Sequence, residues 1–593
     1  MNLGKSSGGA STADQRTGAA RRWTPLLAIG AAAFAAEIPF FFFGTPSGHD
    51  VEFHLYSWLE VLAQWQQGIV YPRWAALANF AYGEPRFIFY PPASWTLGAG
   101  LSAIFPWTIV SCIYIWIALA AAGVSMYALA RRWVDRESLN PQKFVRRDAI
   151  FAAVLYAVNP YHLVIVYWRS AFAELLASCL VPLLLLFVLQ AAHKDEDERH
   201  NWRTIVPLAL VLAAAWLTNA PAAVMIHYSL ALLLVFFAWQ RRSPRMLLVG
   251  AGAAALGAGL AAFYLLPAIY EQRWVDIAQA VSAGSRPVDS FLFSHTADAD
   301  HDAFNRIISW VAVLEIFGIL VAAWAARPWR PSREEDQRSL WSVLSGWAIA
   351  CSVLMLPLSA LLWKVLPKLE FMQFPWRWLL CLSMIFSLFV MLGFVGSGRR
   401  WWWRGAVLLA SILVVVAAGH RFQTPWWDNA DDLREMQDNM EAGTGYGGVE
   451  EYTPLGAEVE ALDKSVRNVT VDGQARAAIH VQRWDAESRM FTAEMSAADR
   501  LTLRLFRYPA WRVVVNGRVV ETAARAGTGQ MLVPVEAGMN RVEISFARTW
   551  DRAVGGWISF ITAMLLMIWI LLPHLRRQTS DLGPRPPGPR SEV

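Results

Sequence analysis

The sequence predicts a polytopic α-helical membrane protein of about 12 spans with an exported C-terminal antiparallel β-sandwich domain. Three observations carry this. In a chain of 593 residues that is 56% hydrophobic, with 31 Trp and 31 Phe, windows of roughly 18–22 residues recur almost free of charge, the length a helix needs to cross a ~30 Å hydrocarbon core. Lys and Arg return at alternate ends of those windows. From about residue 474 the pattern changes to short alternating segments divided by turn residues.

The spans fall at 23–43, 107–130, 149–167, 174–192, 204–219, 221–239, 246–266, 307–326, 339–361, 375–395, 404–419 and 554–574. Basic residues near helix ends stay cytoplasmic. Arg21 and Arg22 precede the first span, and bases follow every even-numbered one: Arg131, Arg132, Arg136, Lys143, Arg146 and Arg147; Lys194, Arg199 and Arg203; Arg241, Arg242 and Arg245; Arg327, Arg330, Arg333 and Arg338; Arg399, Arg400 and Arg404; Arg576 and Arg577. Both termini are therefore cytoplasmic, in a multi-pass cytoplasmic (inner) membrane protein. The net charge of +5 is a topology signal and gives no ground for nucleic-acid binding.

The segment 88–105 is apolar, but counting it as a span would place the basic 131–148 loop outside. It reads instead as a juxtamembrane helix, with Pro91 and Pro92 setting its entry angle. All four cysteines (Cys112, Cys179, Cys351, Cys381) fall in spans, so the exported parts fold without disulfides. Three outward parts are large: a first loop over 44–106, a loop over 267–306, and a soluble domain over 420–553. The last begins as acidic, irregular chain and continues as strands, with Asn516-Gly517 marking a two-residue hairpin. Residues 1–22 and the Pro-rich tail 575–593 read as disordered.

The chemistry-bearing residues gather on the exported side. The first loop opens "GHDVEFHLYSWLEVLAQW", residues 48–65. As a helix, this puts Val51, Leu55, Trp58, Leu62 and Trp65 on one stripe suited to the membrane interface. Asp50 and His54 then lie side by side on its flank, with Glu52 on the other flank and Glu60 on the polar side. Asp50 is a natural N-cap. It is equally a carboxylate held at headgroup level, where a reaction on a lipid phosphate needs a base. Between spans three and four, "YWRSAFAELLAS" brings Arg169 and Glu174 to the same surface; Glu174 also suits a helix N-terminus. In "QFPWRWLL", Arg377 enters the tenth span beside two Trp, placed to snorkel or to hold a phosphate. Arg73 in "YPRW" and Arg86 in "GEPRF" are further candidates for phosphate or carboxylate contacts. The run "SHTADADHD" (294–302) reads as a solvated acidic loop, not a metal site. Glu37 and Glu315 lie within spans, where an ionisable residue needs a partner or a polar cavity. Gly-rich phosphate loops and CxxC pairs are absent from the sequence.

In order along the chain, "GHDVEFHL", "YPRW", "FIFYPPASW", "LAAFYLLPAIYE", "QFPWRWL", "EYTP" and "YPAWRVVVNGR" resemble the bacterial membrane-protein family labelled 6-pyruvoyl-tetrahydropterin synthase-related and its YfhO-type relatives. More broadly they resemble the GT-C class of integral-membrane glycosyltransferases, which includes protein O-mannosyltransferases and the lipid A aminoarabinose transferase. The likeness runs from about 40 to 550. The pteridine label implies no pterin chemistry. The resemblance implies a GT-C-like transmembrane domain over 23–419 and transfer of a monosaccharide from a polyprenyl-phosphate donor to an exported glycan, lipid or protein acceptor. It also implies Asp50 as the catalytic acid of the first loop and Glu174 as the second. His54, Glu52, Arg73, Arg86, Arg169 and Arg377 then become substrate-binding candidates. Asp50 is followed by Val51 and Glu52 rather than by the adjacent acids of some relatives. No cofactor is assigned, although some GT-C enzymes use a divalent cation, which Asp50, Glu52 and Glu174 would hold. In the β-domain, Tyr508 and Trp511 would hold the acceptor, or the domain only lids the cavity. Rival readings are a transporter or lipid flippase of envelope biogenesis, and a non-enzymatic assembly scaffold.

Overall fold

A computed structural model describes residues 10–134, 144–192, 202–327, 335–394 and 402–580. Of the two terminal segments expected to be disordered, residues 10–22 and 575–580 are helical, as parts of the helices Ala10–Ala35 and Trp550–Ser580, while 1–9 and 581–593 lie outside the described residues. So do Arg136, Lys143, Lys194, Arg199, Arg330, Arg333, Arg399 and Arg400.

All twelve apolar segments form helix. Among the described residues nine helices are long and apolar enough to cross a membrane, from Trp23–Phe43 to Trp550–Ile570. The fifth segment is the helix Trp202–Thr218 of 17 residues, about 26 Å at 1.5 Å per residue. The seventh and ninth are arms of bent pairs, Arg245–Leu260 with Ala262–Trp274 at 78° and Gln337–Leu354 with Pro357–Val365 at 87°. The first arm of the seventh has 16 residues, about 24 Å, so the bend follows a nearly complete crossing. Its second arm runs to the β-domain, where Glu271 accepts a hydrogen bond from Tyr508 Oη at 2.6 Å. A break at that level differs from the midplane-broken helices of transporters.

The first loop is more deeply enclosed than its pattern predicts. The helix Val51–Gln66 buries His54, Ser57, Glu60 and Gln64 as well as Val51, Leu55 and Trp58. Trp58 stacks on Tyr114 of the second span and Phe172 of the fourth, with ring centroids 4.9 and 5.3 Å apart. The stripe expected to lie on lipid thus packs on protein. The expected polar side is covered as well: Glu60 accepts the Leu77 N–H at 2.5 Å and Gln64 Nε2 at 3.1 Å. The helix Pro92–Ser102, of 11 residues, is only about 16 Å long and too short to cross.

Two short strands, β1 (Thr45–Pro46) and β2 (Trp427–Asp428), pair antiparallel and tie the start of the first loop to the end of the eleventh span. A 12-residue helix, Ala430–Glu441, follows with an Asn429 capping box. Beyond it lie β3 (Val469–Val471), β4 (Ala477–Trp484), β5 (Ser488–Met495), β6 (Asp499–Phe506), β7 (Trp511–Val515), β8 (Arg518–Val520), β9 (Ala523–Ala524), β10 (Gln530–Val535) and β11 (Gly538–Phe546). They form a four-stranded sheet, β3-β6-β10-β9, and a five-stranded sheet, β4-β5-β11-β7-β8. The core is filled from both sheets, by Phe491, Ala493 and Met495 at alternate positions of β5 and by Leu501, Leu503 and Leu505 of β6, all buried. Asn516 and Gly517 take φ of 50° and 81° between paired Val515 and Arg518, the two-residue turn their identity predicts.

The sandwich is docked on the membrane domain by buried groups. Trp74 of the first loop packs among Tyr508, Trp511 and Phe546 at 5.5–5.7 Å. Arg552 donates to both Glu271 oxygens at 2.7 Å. Tyr508 and Trp511 are 1% and 6% exposed, so they form this joint rather than an open acceptor platform. Removing one partner of a buried pair leaves an uncompensated charge. Arg552→Met is therefore expected to cost about 3–5 kcal/mol, seen as a lowered melting temperature and faster proteolysis of the 443–449 segment. The double variant Glu271→Gln, Arg552→Met should recover part of that loss.

Candidate active site

The site is built where two backbone segments meet. The third span ends in a π-helical turn, Ile165–Arg169, followed by Ser170 at φ 48°. Against it lies the chain entering the first-loop helix. His49 and Asp50 donate their N–H groups to the Trp168 and Arg169 carbonyls at 3.1 and 2.8 Å. Gly48 N–H donates to Ser170 Oγ at 2.9 Å, and Ser170 Oγ donates to the Pro46 carbonyl at 3.0 Å. A Cβ on Gly48 would lie 2.6 Å from backbone atoms of Trp168, Arg169 and Ser170, so only glycine permits this approach.

The join delivers Asp50 to Arg169. Asp50 sits at the N-cap position of its helix but makes no side-chain capping bond. Its Oδ2 instead accepts from Arg169 Nη2 at 2.7 Å, with 35% of the Asp50 side chain exposed against 4% for Arg169. Burial acts to raise the Asp50 pKa, but the Arg169 charge and hydrogen bond, helped by His54 and Arg377, hold it below its ordinary value. Asp50 is thus a carboxylate at neutral pH.

Glu174 and Arg377 form the second half. Glu174 lies in the first turn of the helix Phe172–Ala177, 1% exposed, and accepts from Arg377 Nε at 3.1 Å and from Tyr161 Oη. Arg377 Nη1 also donates to the Met372 carbonyl at 2.5 Å and to Gln373 Oε1 at 3.3 Å. Stacked Phe374 and Trp376, 4.9 Å apart, roof the cluster. Arg169 lies over both rings at 5.1 and 4.9 Å, and its Nη1 has no hydrogen-bond partner.

Four of the eight candidates therefore converge as two acid–arginine pairs. His54 borders them, 2% exposed, among Phe53, Tyr90 and Phe172 with ring centroids 5.1–5.9 Å away. Its Nδ1 has no partner. The other three lie elsewhere. Glu52 is exposed. Arg86 is buried against Glu84 at 2.7 Å and donates to Ser57 Oγ at 3.1 Å; Glu84 also accepts the Val449 N–H at 3.0 Å, so this pair ties the first loop to the domain linker. Arg73 stacks on Tyr71 at 4.2 Å, near the Glu271–Arg552 joint. Among the described residues no group of three or more His, Cys, Asp or Glu is placed to hold a metal ion. With Asp50 and Glu174 each facing an arginine and Glu52 exposed, a cation bridging the three does not fit these positions. In the 294–302 run, Asp298 caps the helix Ala299–Ala325 and Asp302 accepts from Thr296 N–H at 2.8 Å, so these acids start a helix.

Sequence reasoning missed Tyr161 and Ser170. The Asn159-Pro160 pair before Tyr161, with Asn159 Oδ1 accepting from His162 N–H at 2.9 Å, is a helix-start signal that marks the break.

Burial pushes the His54 imidazole down to about 4 despite the Asp50 carboxylate, against about 6.5 in the unfolded chain. Protonation therefore favours unfolding: stability is full above pH ~6.5 and falls as pH drops towards about 4. His54→Phe should flatten that acid limb of the melting-temperature profile, by up to about 3 kcal/mol at its foot.

A family model described as 6-pyruvoyl-tetrahydropterin synthase related domain, membrane protein, matches residues 87–424. No curated protein matches. Among solved structures, the apo Archaeoglobus fulgidus oligosaccharyltransferase is 14% identical with a TM-score of 0.41, over 73% of this chain and 61% of that one. The same enzyme in complex with Zn and sulfate gives 15% and 0.39, over 73% and 58%. In complex with an inhibitory peptide and a dolichol-phosphate it gives 14% and 0.40, over 73% and 61%. This chain thus spans about three-fifths of that enzyme's length. With more than half of its residues inside the family match, the protein belongs to the 6-pyruvoyl-tetrahydropterin synthase-related family of membrane proteins.

Proposed function

We propose that the protein is a glycosyltransferase that moves a monosaccharide from a polyprenyl-phosphate donor to an envelope acceptor, with inversion and with Asp50 as base. The observation that carries this reading is the state of Asp50. It occupies a cap position without capping, stays ionised beside Arg169, and is the most exposed of the four charged side chains in an otherwise buried cluster.

In the proposed reaction the acceptor hydroxyl oxygen bonds to the anomeric carbon as the bond from that carbon to the phosphate oxygen breaks. The electron pair leaves with the polyprenyl phosphate, and the hydroxyl proton passes to Asp50. In a dissociative transition state the hydroxyl becomes acidic only late, so a carboxylate of low basicity is adequate. The leaving phosphate needs charge stabilisation rather than a proton. Arg169 supplies it through the Nη1 donor that has no protein partner, once the Phe374–Trp376 roof is displaced. Glu174 is a positioning residue in this scheme, since its carboxylate is occupied by Arg377 and Tyr161.

The site would face the exported side of the cytoplasmic membrane. Arg131 and Arg132 end the second span and Arg404 lies in the first turn of the eleventh, each at the end opposite the β-domain, which supports that orientation.

Asp50→Asn is expected to lower sugar transfer in membrane vesicles about 10³-fold, with the protein still expressed and inserted and its melting temperature lowered by the lost charge of the Arg169 pair. Asp50→Ser, a competent cap, should not restore it. Full transfer by either variant would show that Asp50 is not the base.

A further inference from the structure

A second site of different character lies on the lipid side of the first span. Its helix ends at Ala35, turns through Ala36–Pro39 and resumes over Phe40–Phe43. Glu37 falls in this break. Its side chain is 5% exposed and its Oε1 has no hydrogen-bond partner. A carboxyl oxygen in that condition is costly, so a group to satisfy it is expected.

Glu37 lines a cavity of about 430 Å³ between the first and second spans, within the size range of ligand pockets. Phe34, Phe41, Ile113 and Trp116 form its walls, and Asp428 and Asn429 form its roof on the β-domain side. Of these, Phe34, Phe41 and Trp116 are 51%, 71% and 40% exposed, so the outer wall faces lipid. Two carboxyl groups and no Lys, Arg or His line the cavity. Asp431 and Asp432 stand in the first turn of the helix that begins at the roof. The cavity is therefore apolar towards the bilayer and acidic towards the headgroups.

That pairing selects among lipids. An anionic headgroup is disfavoured beside Asp428, Asp431 and Asp432 at the roof. A quaternary ammonium carries no N–H and leaves Glu37 Oε1 unsatisfied. A primary ammonium brings three donors and a positive charge. We propose that this cavity binds a phospholipid of the adjoining leaflet through a primary-amine headgroup, the ammonium donating to Glu37 Oε1 and the Asp428 carboxylate while an acyl chain lies along Phe34, Ile113 and Trp116. The site stands apart from the Asp50 cluster and does not depend on glycosyl transfer.

The test uses the purified full chain offered equal amounts of dioleoyl phosphatidylethanolamine, phosphatidylcholine and phosphatidylglycerol, with retained lipid counted by native mass spectrometry. One phosphatidylethanolamine per protein is expected, preferred about tenfold over the other two, the worth of one charge-assisted hydrogen bond. Glu37→Gln, close to isosteric, should reduce that preference towards unity. Equal retention of the three lipids by the unaltered protein overturns the proposal, and this arm needs no variant to fold. An undiminished preference in both Glu37→Gln and Asp428→Asn overturns it as well.

Discussion

The ion pair between Arg169 and Asp50 is the constraint on which the membrane-facing architecture turns. A guanidinium that is 4% exposed cannot stay in that position unpaired, because an isolated buried charge costs several kcal/mol. The partner it finds is 119 residues away in sequence. Satisfying it obliges the first loop to return across the end of the third span, close enough for the Asp50 and His49 N–H groups to reach carbonyls there. Gly48 is required at that crossing for lack of a side chain, and Ser170 adopts a left-handed conformation to accept it.

The pair is half of a neutral quartet. Glu174 and Arg377, 203 residues apart, bring the fourth and tenth spans to the same place, so three separate segments share one electrostatic solution. Two acids and two bases cancel, which lets the cluster remain under the Phe374–Trp376 roof. Within it the groups differ in freedom. Glu174 is saturated by its partners, Asp50 keeps a third of its side chain open, and Arg169 keeps a donor unpaired. A cluster serving stability alone gains nothing from that unevenness, whereas one that takes a substrate requires it.

Much of this was legible in the sequence and the rest had a physical reason not to be. The spans are readable because length and absence of charge are local properties. The Asn516-Gly517 hairpin is readable because turn chemistry is local too. Asp50, Arg169, Glu174 and Arg377 were singled out by position relative to the spans, which loop topology supplies. Their pairing was not readable, since it joins residues more than a hundred positions apart. The first-loop helix shows the limit most plainly. Its apolar stripe is real, yet Glu60 and Gln64 are buried as well, because the 71–90 segment and the domain linker cover the face that periodicity assigns to water. Arg86 and Arg73 looked like anion binders for the same reason. Their contacts, Glu84 and Ser57 for Arg86 and the Tyr71 ring for Arg73, became visible only when the chain was folded.

The Asp50 cluster and the lipid-side cavity are joined by one short stretch of backbone. Phe40 and Phe41 line the cavity, Gly44 and Thr45 border it beneath Asp428, and five residues later the same stretch of chain presents Asp50. Gly44 has φ of 98° and its missing Cβ would meet the Asp428 carbonyl oxygen at 2.3 Å. Gly48 is confined in the same way against Trp168–Ser170. With both glycines pressed against backbone and β1 paired to β2, the stretch has little room to move sideways. Its position is set jointly by the first span, the β-domain linker and the end of the third span. That triple fixation explains how an ionised side chain outside regular secondary structure is held to a single position at the membrane surface: the rigidity resides in the contacts around Asp50, not in the helix it begins.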